Sequence, residues 1–258
     1  MVQFKRTLYE PVVALAIAAL AMSAQAGTSA YVVNGDDELY RLDLNTLETE
    51  LVGQIGVDFV YDIASLSDGT IAGQHDDDPG YFLLDGNDAN LLAQGQNNSM
   101  SGFIGDLDGL EDTLFAFDNT SLREIDPLTG QANELFTLST PTSADSLAMV
   151  SGTEAFVFGR GDIGLRELYR VDFDTGEVET VLSIVEPSLF FRSLDYHDGV
   201  LYALMGDGSL SIVDQADGSL TSLGALDIGA VDAFTIVPAP GTTACAVLVC
   251  AAAIRRRR

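Results

Sequence analysis

Five stretches of this chain end on the same short pattern. Its clearest form is Glu167-Leu-Tyr-Arg-Val-Asp172 followed by Phe-Asp-Thr-Gly176. Leu168, Arg170 and Asp172 alternate with Tyr169, Val171 and Phe173, the period-two signature of a strand, and Val178 and Val181 sit in a second β-rich run. Between the runs, an Asp side chain can bond backbone N–H groups just downstream, and a Gly accepts the positive φ that closes the turn. Glu38-Leu-Tyr-Arg-Leu-Asp43 nearly copies the first strand. Leu122 to Asp126 with Pro-Leu-Thr-Gly130, and Leu210 to Asp214 with Gln-Ala-Asp-Gly218, copy strand and turn, while Tyr81 to Asp85 is a looser version. The marker residues Asp43, Asp85, Asp126, Asp172 and Asp214 are spaced by 42, 41, 46 and 42 positions. Self-similarity at that period means one supersecondary unit per repeat.

Each unit reads as four short strands separated by Gly- or Asp-bearing turns. The second spans about 57–96, the third about 101–139, the fourth about 144–184 and the fifth about 192–226. The first unit, from Ala30, has only three strands, and 231–237 is left over at the far end, beginning like Asp62-Ile-Ala-Ser-Leu66. Letting that last strand complete the first unit joins the two ends and removes two open sheet edges. The predicted fold is therefore all-β: a five-bladed β-propeller of roughly 40-residue repeats, closed by the C-terminal strand. No segment between the termini shows a sustained apolar period of a helix.

The two ends read differently. Lys5 and Arg6 precede an apolar run over 12–22, and Ala24-Gln25-Ala26 has the small-x-small form of a signal-peptidase site, which predicts a signal helix over 1–26 and export. The propeller domain then occupies 27–237. At the other end stand Pro238, Ala239, Pro240 and Gly241, then eleven apolar residues over 244–254, then Arg255 to Arg258. This resembles the PEP-CTERM sorting signal: a Pro-containing motif, a hydrophobic segment and a basic tail. The resemblance covers 237–258 alone. It implies that 238–258 carries a short hydrophobic helix and is processed by an exosortase-type enzyme, with the product at the cell envelope, the cell surface or the extracellular matrix. The apolar run is short for a bilayer core of ~30 Å. Membrane association is expected only through these terminal segments.

Both cysteines, Cys245 and Cys250, lie in that tail, so the body is held by burial and sheet pairing without disulfides. The body is also strongly acidic. Residues 27–241 hold all of the 39 acidic residues except Glu10, against Arg41, Arg123, Arg160, Arg166, Arg170 and Arg192 and no lysine, a formal charge of −32. Such a surface repels nucleic acid.

Candidate sites follow from the carboxylates. Aligned on their second strands, the units place Asp62, Gly105, Asp145 and Arg192 at one level at the start of the inner strand, with Asp232 in the same place on the closing strand and Asp106 one step beyond. In a propeller these positions rim the central channel. They would form a cation- or sugar-binding mouth, or cap turns. Calcium prefers several oxygen ligands on loops, which Asp76, Asp77 and Asp78, or the turn 34–37, would also supply, although no dedicated Asp-x-Asp-x-Asp-Gly loop is present. No other cofactor is indicated. His75 and His197 read as isolated loop residues, too few for zinc. There is no Gly-x-Ser-x-Gly motif and no phosphate loop. Two functions fit: a surface binding or scaffold propeller, with surface polysaccharide or other surface proteins as partners, or a glycosidase-like enzyme with Asp62, Asp145 and Asp232 at the channel. The absence of Trp, the usual sugar platform, favours the first.

Overall fold

The computed structural model describes residues 29–75, 80–96, 106–118, 120–138, 143–161, 165–184 and 190–237. The expected signal helix with Ala24 and Ala26, the motif Pro238, Ala239, Pro240 and Gly241 with its apolar helix, and the loop residues Asp76, Asp77 and Asp78 all lie outside the described residues. Within them there are strands and turns and no helix.

Twenty strands form five four-stranded antiparallel sheets. The first blade holds β1 (Ser29–Asn34), β2 (Glu38–Asp43) and β3 (Thr49–Gln54). The second holds β4 (Val60–Ser65), β5 (Thr70–His75), β6 (Gly80–Asp85) and β7 (Leu91–Gln96). The third holds β8 (Asp106–Leu110), β9 (Thr113–Asp118), β10 (Ser121–Ile125) and β11 (Ala132–Thr137). The fourth holds β12 (Ser143–Ser151), β13 (Glu154–Arg160), β14 (Arg166–Asp172) and β15 (Glu177–Ile184). The fifth holds β16 (Phe191–His197), β17 (Val200–Met205), β18 (Ser209–Val213) and β19 (Leu220–Ala225). The remaining strand, β20 (Val231–Val237), lies beside β1, with Ala30 opposite Ile236 and Val32 opposite Phe234, so the first sheet runs β20-β1-β2-β3. The inner strands β4, β8, β12, β16 and β20 touch one another in turn around a closed circle.

The five repeated turns share one geometry. In each, the marker Asp carbonyl accepts an N–H four residues on, at Leu47, Ala89, Gly130, Gly176 and Gly218. The Asp Oδ1 takes the N–H two residues on, at Asn45, Asn87, Leu128, Asp174 and Ala216. The fifth residue of every turn has positive φ, between 57° at Ala89 and 74° at Gly176.

Packing explains why the strands lack a clean in–out alternation. Each blade is covered by neighbours on both faces, so successive side chains of one strand enter two different cores. Tyr31 and Val33 pack toward β4 to β6, while Ala30 and Val32 pack toward β17 and β18. The buried apolar residues accordingly form five clusters, one for each contact between adjacent blades. The outer strands are the exposed ones: β11 and β19 hold only exposed and half-buried residues.

Candidate functional site

An inner strand has a sheet partner on one side only. Its other edge turns toward the channel with backbone N–H groups that the sheet leaves unpaired. Polar side chains of the preceding blade fill this need. Asp62 on β4 accepts the N–H of Leu107, Asp106 on β8 accepts that of Leu147, and Ser146 on β12 accepts that of Leu194 at 2.7 Å. Ser193 donates its hydroxyl to the Phe234 carbonyl at 3.0 Å. A second level lies two residues deeper. Asp108 accepts Met149 N–H, Asp195 accepts Ile236 N–H at 2.6 Å, and Thr235 Oγ accepts Ser65 N–H at 3.0 Å. The ring of blades is thus joined by side-chain-to-backbone bonds as well as by apolar cores.

Four of these groups are carboxyls, and Asp62, Asp106, Asp108 and Asp195 are all buried. Removal from water disfavours the charged form and raises every one of them. Asp62 is pushed up to about 6, with hydrogen bonds from Asp106 and from Leu107 N–H opposing the rise. Asp195 is pushed up to about 7, opposed by its bonds to Ile236 and Thr235. Asp106 and Asp108 are raised well above the usual carboxylate range, by burial first and then by the negative charge of Asp62 and Asp195 respectively. The Asp62 and Asp106 carboxyls are hydrogen-bonded to each other, a contact that lowers Asp62 and raises Asp106. Asp62 Oδ1 is buried and meets no N–H or hydroxyl among the described residues.

Above this column the channel opens into a cavity of about 340 Å³, lined by Asp37, Phe59, Tyr61, Asp106, Asp145, Phe190, Arg192 and Asp232 among others. Its wall is stitched by ion pairs. Asp145 meets Arg166 at 3.1 Å, and Asp232 on β20 meets Arg192 on β16 at 2.9 Å. Burial raises Asp232 and the Arg192 charge opposes that. Both arginines lie over the ring of Phe190, with guanidinium carbons 4.2 and 5.8 Å from its centroid. On the opposite side Asp37 accepts the N–H groups of Phe59 and Val60 at 3.0 and 2.8 Å, tying the first blade to the second.

Asp145 and Asp232 line the mouth, and Asp106 lies one step inside. Asp62 is a correction: the bonding pattern puts it level with Asp106, Ser146 and Ser193, and Tyr61 takes the place level with Asp145, Arg192 and Asp232. The β4–β5 turn at 66–69 is longer than the two-residue turns at 111–112, 152–153 and 198–199, whereas the shift between Val60 and Asp62 recurs at Ala144/Ser146 and Phe191/Ser193 and so keeps the levels aligned. Counting back from the second strand therefore slips by one, and one residue reverses the face of a strand. The histidines are a second correction. His75 ends β5, buried beside Phe82, and His197 ends β16 next to Asp198, so neither is a loop residue. Asp108 and Asp195 were not singled out by the sequence. Their signal was period two, from Asp106 and from Ser193. Among the described residues no three His, Cys, Asp or Glu side chains converge as a metal would require, so Asp62, Asp106, Asp145 and Asp232 do not form a common ligand set.

No family model matches the sequence, and no curated protein matches it either. Solved structures do share its shape. A chain of the crystallised nidogen/laminin complex superposes with a TM-score of 0.56 at 11% identity, over 82% of this chain and 99% of that one. The extracellular domain of the hybrid two component system BT4673 from B. thetaiotaomicron gives 0.45 at 14% identity, over 80% of this chain and 28% of that one. At such identities the likeness concerns the fold alone: this chain is an all-β, five-bladed β-propeller.

Proposed function

We propose that this is an exported binding or scaffold protein of the cell surface or extracellular matrix. Its ring is closed through β20, and it recognises a surface polysaccharide or another surface protein at the channel mouth. Export and sorting rest on the two termini: the basic-apolar-small order of 1–26, and the Pro-apolar-basic order of 238–258 that resembles a PEP-CTERM signal. A signal peptidase and an exosortase-type enzyme are then the processing partners. Binding rather than turnover rests on one observation. The mouth carboxylates Asp145 and Asp232 are held by Arg166 and Arg192, and the channel carboxyls below them are engaged by backbone N–H groups of the next blade. An ionised carboxylate in an ion pair is a poor general base, and a buried one that caps a strand edge is poorly placed to reach substrate.

One feature favours the glycosidase-like alternative. Asp106 lines the mouth cavity and holds its proton far above the usual range, the property of a general acid. Incubating the purified exported protein with a panel of glycans separates the two. The binding reading predicts retention of intact glycan without product. Hydrolysis that disappears in Asp145→Asn would replace that reading with the enzymatic one. The intact mass of the same sample reports export and sorting: a chain starting after Ala26 and lacking the 255–258 arginines is expected, and a full-length mass at the surface would contradict both processing steps.

A further inference from the structure

Phe59 is exposed in a way the fold has to enforce. Its side chain is 68% exposed although it lines a cavity, and its backbone sits at φ 58°, a conformation few side chains favour. The Asp37 carboxyl, itself on a residue at φ 57°, holds it there by accepting the N–H groups of Phe59 and Val60. An apolar ring that could gain by burial is instead fixed at the mouth. Across the cavity the face of Phe190 is covered by Arg166, so the aromatic surface open to a ligand is that of Phe59, with Tyr61 beside it and less exposed.

The polar wall narrows the ligand class. Arg166 with Asp145 and Arg192 with Asp232 are partly exposed pairs, with side-chain exposures of 31 and 25%, and 44 and 27%. Each pair offers N–H donors beside carboxylate acceptors, and a hydroxyl group, which both donates and accepts, can bridge them. A cationic ligand would have to displace a guanidinium that already holds the carboxylate. An anionic polymer meets a body of formal charge −32 between 27 and 241. What remains is an uncharged molecule with many hydroxyls and an apolar C–H face. The cavity, about 340 Å³, is at the small end of the ~300–1,000 Å³ common for ligand pockets, which suits a chain end.

We propose that the mouth is a subsite for an uncharged saccharide, stacked on Phe59 and hydrogen-bonded by the Asp145–Arg166 and Asp232–Arg192 pairs. This rests on the binding function given above and narrows its partner to one chemistry. The test is calorimetric titration of the exported protein with neutral oligosaccharides ending in glucose, galactose, mannose or N-acetylglucosamine, with arginine amide and citrate as charged comparisons. At least one neutral sugar should bind. Phe59→Ala should weaken it roughly tenfold or more, as truncation of an aromatic anchor does, at an unchanged melting temperature, and Phe59→Tyr should retain it. Binding of arginine amide or citrate alone, or of no neutral sugar, overturns the proposal. Neutral sugar bound equally by Phe59→Ala overturns the site while leaving a binding protein. Hydrolysis of a sugar whose affinity still depends on Phe59 supports the subsite and overturns the non-catalytic reading.

Discussion

At the scale of the residue, the fold is written in one carboxylate and one backbone conformation. The marker Asp fixes its turn by accepting N–H groups ahead of it, and these bonds hold Asp126 and Asp172 below the usual carboxylate range. The fifth turn residue must then enter the left-handed region. Gly does this freely, whereas Leu47 and Ala89 do it against steric resistance. Gly130 and Gly218 separate the two reasons for a glycine. A Cβ at Gly130, φ 66°, would meet Tyr81 at an ordinary 3.6 Å, so Gly130→Ala should cost the conformational term of about 1–2 kcal/mol. A Cβ at Gly218, φ 71°, would lie 2.4 Å from Leu182 Cβ. Gly218→Ala should cost that term and a further ~1–3 kcal/mol of overpacking. Urea midpoints of the two variants check the order, and equal losses would show that Leu182 moves aside without cost.

At the scale of the element, the inner strand sets both the stability and its pH dependence. Buried carboxyls with raised pKa values take up protons on folding. Their contribution is complete below the unfolded value of ~3.9 and is lost as pH rises through about 6 for Asp62 and about 7 for Asp195. The groups facing them are Asp106 and Asp108 on β8 and Thr235 on β20, and among these side chains there is no cation. The exposed turn carboxylates Asp126, Asp172, Asp207 and Asp217 are lowered by their hydrogen bonds, so their contribution is lost only in stronger acid. The melting temperature should therefore be higher at pH 5 than at pH 8 at fixed ionic strength. Asp195→Asn, which keeps an oxygen for Ile236 N–H, should shrink that difference. A melting temperature that rises from pH 5 to pH 8 would refute the ionisation of this column. The sequence pointed to Asp106 but not to Asp108 or Asp195, because their role depends on which edge of an inner strand lacks a partner. That fact appears only when five sheets are set side by side.

At the scale of the whole molecule, the repeat made the number of blades legible because the turn led by the marker Asp is local: five turns need five outer hairpins, whatever lies between them. Levels inside the channel were less legible. They depend on turn length and on bulges such as that between Met149 and Ser151, which a count along the chain does not register. Phe59 gave no signal either, since an aromatic residue between Asp58 and Val60 reads as ordinary core. The central claim is that β20 and β1, about 200 residues apart, turn five weak sheets into one cooperative ring. In an open array each blade would depend on its neighbours alone, and damage would stay local. In a closed ring it is shared. Phe234, buried between the fifth and first blades, is the place to test this. Phe234→Ala should cost about 3–5 kcal/mol. Native-state amide hydrogen exchange, read strand by strand on the full chain, is the measurement. The closed ring predicts that the slowest amides of all five blades lose protection by one common factor. Loss confined to β20 and β1 to β3, with β4 to β19 exchanging as before, would contradict it.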